Sequence, residues 1–414
     1  MYQFATTSNG IRIVTERVPY VQSVSLGIWV DTGGRDETDS TAGISHFIEH
    51  LLFKGTERRS AQAIAEELDA VGGQINAFTD REYTCYYVKV LPEHVPLAQE
   101  ILADMLQHSV MDPTEIAREK NVILEEIKRH EDTPDELVHD LFAETLWPEH
   151  PLGRSVIGRA EVIEGLTREQ IVSFLREQYL PSRMVVAAAG NLDHDAIVAG
   201  VEQTLGSMPA GERGHELYPP QISDHEIEVP KPTEQVHFCL GTRGYNQNQD
   251  ERYALGLIDS AIGGGMSSRL FQEVREKRGL CYAIGSYTAS YREAGMFTVY
   301  AGISPENTGQ VRELVAKELR DVARSGLKPE ELQRAKNQIR GAVLLSLDSM
   351  STRMTRIGKS MLYYDRVISP TEVVEKIEAV TDPEVRRISA EVLGSGDYAY
   401  AAVGPFDGVE AEDE

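Results

Sequence analysis

Cysteine is scarce in this chain of 414 residues. The three present, Cys85, Cys239 and Cys281, lie far apart and show no C-x-x-C spacing. That argues against a thiolate metal site and a disulfide framework, and a reducing cytoplasm is the compartment that fits. Long apolar runs are also missing: none approaches the ~20 residues needed to span a bilayer, so no membrane association is expected. The opening Met1-Tyr2-Gln3-Phe4-Ala5-Thr6-Thr7 has neither a basic nor an apolar leader region, so no signal peptide is visible. Positive charge is in short supply, with 41 Lys and Arg against 66 Asp and Glu and a net charge of −25. Binding nucleic acid needs a basic footprint, so that class of partner is not expected. A basic peptide is electrostatically more welcome, although the same excess serves solubility equally well.

What is present is ordinary in bulk: 41% hydrophobic and 26% charged residues, typical of a folded globular chain. Its length implies more than one domain, most simply two. Landmarks recur in order along it. Pro92-Glu93 returns as Pro305-Glu306, Pro113-Thr114-Glu115 as Pro329-Glu330-Glu331, and a strand ending at Gly190 as one ending at Gly404, at offsets of 213, 216 and 214 residues. A repeat this long means duplicated domains rather than a solenoid. The proline-rich stretch from Pro209 to Pro232 reads as their connector. The expected division is therefore 1–208, a connector 209–232, 233–408 and an acidic tail 409–414. Each half mixes strands with helices. Asn9-Gly10 signals a hairpin, and Ser60 to Val71 is a helix closed by Gly72. The fold class is α+β, two homologous domains, each a mixed sheet with helices mainly on one face.

The chemistry concentrates in Ile44-Ser45-His46-Phe47-Ile48-Glu49-His50-Leu51-Leu52-Phe53. On a helix, at about 100° per residue, Glu49 and His50 lie roughly 60° to one side and 40° to the other of His46. Two imidazoles one turn apart can chelate one ion, with a carboxylate in the same sector. This is the H-x-x-E-H arrangement in which two histidines hold zinc and the glutamate is the general base. Histidines four apart occur on ordinary amphipathic helices too, so a third ligand is the test. Catalytic zinc usually takes three protein ligands, and the other nine histidines have no partner at helical spacing. A carboxylate is the better candidate. Asp112, Pro113 and Glu115 open a helix with a capping box, and Ile116, Ile123 and Ile127 mark its buried face. Glu119 and Glu126 each lie about 60° from that stripe, whereas Glu125 points about 200° away from Ile123. Either of the first two suits a partly enclosed site better than Glu125. In the second half Ala335 and Ala342 stand in their places, and no H-x-x-E-H occurs. Joint loss of these parts is what one active and one inactive copy would show.

With these residues the whole chain resembles the pitrilysin/insulinase family of zinc peptidases (inverzincins). It is most similar to half-length bacterial members akin to the β subunit of mitochondrial processing peptidase. The family pattern places a ligand glutamate about 75 residues after H-x-x-E-H, and 75 residues separate His50 from Glu126. The resemblance thus implies one Zn2+ per chain on His46, His50 and Glu126, with Glu49 as base and Glu119 orienting a ligand. It also implies that Asn76, Ala77 and Phe78 lie on a substrate-binding edge strand, and that Arg278 and Tyr282 reach the substrate near the scissile bond, Tyr282 steadying the oxyanion. Gly263-Gly264-Gly265-Met266-Ser267-Ser268 lacks the Walker lysine and reads as a flexible turn. The implied activity is endopeptidase hydrolysis of peptides or unfolded polypeptide segments in a chamber between paired domains, by a homodimer. The rival reading is a non-catalytic assembly or chaperone-like subunit of the same fold, against which the intact H-x-x-E-H stands.

Overall fold

The computed structural model describes residues 2–212, 214 and 217–406; the acidic tail 409–414 lies outside them. Eleven strands form two sheets among the described residues. The first holds β1 (Tyr2–Thr6), β2 (Arg12–Arg17), β3 (Val24–Val30), β4 (Gln74–Thr79), β5 (Thr84–Val90) and β6 (Met184–Gly190), in the order β1-β2-β6-β3-β5-β4. The second holds β7 (Glu226–Pro230), β8 (Val236–Arg243), β9 (Cys281–Ser290), β10 (Gly295–Ile303) and β11 (Ala399–Gly404), in the order β7-β11-β8-β10-β9. Apart from the β1 hairpin, the two orders are the same. Only β2 with β6 and β7 with β11 are parallel; all other pairs are antiparallel.

The duplication extends to single side chains. Lys120 Nζ donates to the carbonyls of Glu164 and Leu166, at 2.7 Å each. Lys336 Nζ does the same to Glu378 and Val380, at 2.8 and 2.7 Å. The protein is therefore mixed α and β, built from two homologous domains.

Local rules explain the elements. β3 and β6 are buried at every residue, and accordingly neither carries a charged residue: β6 is apolar throughout, and β3 breaks its apolar run only with Ser25 and Gly27. Gly10, at φ +102°, turns the β1–β2 hairpin. The helix Ala61–Asp69 is capped by Ser60, whose side chain accepts from Ala63 N. Asp112 accepts from the amides of Thr114 and Glu115 at 2.8 and 3.2 Å. Glu115 does not complete the capping box; its carboxylate pairs with Arg118.

Packing divides the chain into two units that are not contiguous in sequence. One comprises Met1–Ile127, Arg154–Glu216 and Ser346–Ile368; the other comprises Lys128–Gly153, Leu217–Leu345 and Ser369–Glu414. A single connector at 209–232 does not produce this. One sheet face in each unit is covered by helices of the same half of the chain. The opposite face receives one helix from the other half. Met350–Tyr364 lies on β6, β3 and β2, with Met354 Sδ accepting from Trp29 Nε1 at 3.3 Å. In the second unit Pro134–Leu146 lies on β11 and β8. Each crossing helix comes close to the sheet because a glycine lies beneath it: a Cβ on Gly27 would stand 2.7 Å from Met354, and one on Gly241 2.8 Å from Phe142.

Candidate metal centre

The helix Ile44–Leu52 carries His46, Glu49 and His50. It begins at Gly43, which has φ +94° and no side chain with which to cap. The capping function falls to Glu37, whose two carboxylate oxygens accept from Gly43 N at 2.7 Å and Ser45 N at 2.8 Å. Negative charge at a helix N-terminus is favourable, but this one is buried. Burial pushes the Glu37 carboxyl up to about 7, against the pull of the two amides.

The long helix Pro113–Glu131 delivers Glu126 to the same place. Glu126 Oε2 lies 3.9 Å from His46 Nε2 and 3.7 Å from His50 Nε2. Among the described residues His46, His50 and Glu126 are the group whose donor atoms could hold a metal ion, all lying within 4.8 Å of one another. A tetrahedral zinc with bonds of ~2.0–2.1 Å sets its donors roughly 3.4 Å apart, close to the 3.7 and 3.9 Å that separate Glu126 Oε2 from the two imidazole nitrogens. The imidazole chemistry suits it too. Burial, aided by the neighbouring His50, pushes His46 down to about 4, so it is a neutral donor at pH 7. On the far side of His50, Nδ1 meets Glu119 Oε2 at 3.2 Å, an arrangement that presents Nε2 to a metal. His46, His50 and Glu126 are thus the residues that would hold a divalent ion such as zinc.

Glu49 lies on the open side of the helix, where Thr79 Oγ1 of β4 donates to its carboxylate at 2.5 Å. Burial raises its pKa above the usual carboxylate value despite that bond. Thr79 ties the helix to β4, the outermost strand of its sheet. Asn76 is exposed, while Ala77 and Phe78 are partly covered. The Phe78 ring turns away from the edge and packs edge-on against Trp29, with centroids 5.6 Å apart, so what β4 offers at Phe78 is its backbone. Glu125 is exposed on the long helix.

The remaining two predicted residues belong to the second unit. Arg278 pairs with Glu273 at 2.8 Å, a contact that, with Lys277, holds that carboxyl down at about 2. Tyr282 is 77% exposed, and the Arg275 guanidinium stands 5.3 Å from its ring centre. Sequence reasoning did not find Glu37, Lys54 or Thr79. Lys54 was visible as the residue one turn beyond His50, whereas nothing local marks Glu37 or Thr79.

Comparison with known proteins identifies the family. Residues 12–160, which contain all three donors, match the insulinase family (peptidase family M16), and residues 165–339 match the peptidase M16 inactive domain. The uncharacterized zinc protease YmxG of Bacillus subtilis is 40% identical over 400 residues, covering 97% of each chain. An uncharacterized zinc protease of Mycobacterium tuberculosis is 42% identical over 407 residues, covering 97% of this chain and 92% of that one. Among solved structures, the peptidase M16 inactive domain from Pseudomonas fluorescens has a TM-score of 0.92 over 99% of both chains at 20% identity. A protease from Helicobacter pylori has a TM-score of 0.90, covering 97% of this chain and 99% of that chain at 19% identity. These two share the fold; the identity to the zinc proteases, sustained from end to end, shows that the chain belongs to the insulinase (M16) peptidase family.

Proposed function

We propose that this chain is a zinc-dependent endopeptidase acting on peptides or unfolded polypeptide segments. The observation that carries the reading is the convergence of His46, His50 and Glu126, with a half-buried Glu49 of raised pKa on the same helix as the two histidines. Zinc, when bound, supplies the Lewis acidity that makes water a nucleophile near neutral pH. Glu49 takes the proton of the attacking water and returns it to the leaving amine. A carboxylate whose pKa is raised toward the working pH is suited to both transfers. Thr79 keeps that carboxylate facing the edge strand. There β4, the outermost strand, which carries Asn76, Ala77 and Phe78, gives an extended substrate an edge to add to. Tyr282, assisted by Arg278, is the donor proposed for the oxyanion. The acidic surface favours basic substrates, and we place the enzyme in the cytoplasm as a homodimer, a point that sedimentation tests directly.

Metal analysis of the purified protein, paired with digestion of an unstructured peptide, tests the reading. The wild type is expected to carry one zinc and to cleave. Glu49→Gln is expected to keep the zinc and lose about 10²-fold or more of the activity. A zinc-loaded wild type that cleaves no peptide would favour the non-catalytic subunit; Glu49→Gln with full turnover would remove Glu49 from the mechanism.

A further inference from the structure

Behind His50 stands a second charged pair. Lys54 lies in the turn that follows the histidine helix, its amide bonded to Leu51 O at 3.0 Å. Its Nζ reaches Glu119 Oε1 at 2.7 Å, while Glu119 Oε2 lies 3.2 Å from His50 Nδ1. Each oxygen of Glu119 therefore has its own partner. The Glu119 side chain is 6% exposed, against 32% for Lys54. Burying a carboxylate away from water is costly unless a cation is paired with it. The other imidazole has no such support: His46 Nδ1 is buried without a hydrogen-bond partner. The second copy lacks the arrangement. Ala335 replaces Glu119, and the helix Glu251–Ile262 and the three glycines after it contain no lysine.

We propose that Lys54 is a positioning residue of the metal centre, acting through Glu119 on His50. This rests on the reading of His46, His50 and Glu126 as zinc ligands. Lys54 neutralises Glu119 and claims Oε1, so that Oε2 stays directed at His50 Nδ1. Glu119 then selects the tautomer with the proton on Nδ1, leaving the Nε2 lone pair on the side of Glu126. A lysine suits the task because its ammonium is a compact point donor that engages one oxygen, whereas a guanidinium fork tends to take both.

The test uses the full-length chain stripped of metal: wild type, Lys54→Met, Glu119→Gln and the double variant. Zinc affinity is measured by competition with a chromophoric chelator. Lys54→Met is expected to bind zinc ~10-fold more weakly, the scale of losing a group that orients a ligand. The double variant should bind no more weakly than Glu119→Gln alone, because Lys54 acts through that carboxylate. Nitrogen-15 spectra of histidine-labelled, metal-free protein, recorded at about pH 8 where imidazoles are neutral, give an independent readout. His50 should be the Nδ1–H tautomer in the wild type and a tautomer mixture in Lys54→Met. Unchanged affinity and an unchanged tautomer in Lys54→Met would overturn the proposal, as would an equal loss with and without Glu119. A wild type that binds no zinc would instead sink the metal reading, and the spectra would still decide the role of Lys54.

Discussion

Two glutamates seven residues apart on one helix reach opposite sides of the same imidazole. Glu126 faces Nε2 of His50, and Glu119 faces Nδ1. Helical angles alone place both at the margin of the apolar stripe and leave them equivalent. Glu126→Gln is therefore expected to lose zinc and activity together, while Glu125→Gln, on the exposed side, keeps both. Zinc content by atomic absorption separates them, and metal lost from Glu125→Gln would reverse the assignment. Glu37 gives a pH-dependent test of the helix start. Its carboxyl is raised from 4.5 to about 7 by burial, so the folded chain holds a proton that the unfolded chain releases across that window. The stability contributed is complete below the unfolded value and lost as pH rises through the folded one. In urea titrations, wild type should lose up to about 3 kcal/mol relative to Glu37→Gln between about pH 5 and pH 8. Parallel curves would mean that the two amides keep Glu37 ionised throughout.

At the scale of elements, the histidine helix is set by its entry. Gly43 combines φ +94° with close neighbours: a Cβ there would stand 2.8 Å from Gly158 Cα and 2.9 Å from Ile157 O. Gly43→Ala must both strain the backbone and displace it, at a cost of about 1–3 kcal/mol. Zinc affinity should fall with it, because the start of the helix fixes where His46 lies. Gly72→Ala is the control. Its φ is +65°, but nothing lies within 4 Å of the added carbon, so it should cost ~1 kcal/mol and leave zinc binding intact. Thermal melts and chelator competition on the two variants check both statements. Equal zinc affinity in Gly43→Ala would show that the helix tolerates a shifted start.

For the whole molecule, the interleaved packing has a direct consequence. A fragment of residues 1–208 contains His46, His50 and Glu126 but lacks the helix Met350–Tyr364, which covers Trp29, Val14 and Val185. Those side chains are fully buried in the intact chain. The fragment is expected to bind a hydrophobic dye, to unfold without cooperativity and to hold zinc poorly. Attaching residues 346–368 through a flexible linker should improve all three. A cooperatively folded, zinc-binding 1–208 would show that the first sheet needs only one covered face.

Local pattern determined a good deal here. The spacing of His46, Glu49 and His50 is a property of one helical turn, and the hairpin at Asn9-Gly10 and the caps at Ser60 and Asp112 depend on neighbours in the chain. The duplication was legible because paired landmarks return at nearly one offset. Tertiary structure decided the rest. An apolar stripe says that a helix face is buried but not against which sheet, so the crossing of Met350–Tyr364 and Pro134–Leu146 to the other half's strands was invisible. Glu37, Lys54 and Thr79 meet their partners through side-chain contacts that helical and strand periodicity do not encode. Periodicity placed both glutamates at the margin of the apolar stripe, and only the family resemblance singled out Glu126; the physical distinction, which nitrogen of His50 each one faces, came from packing against the histidine helix.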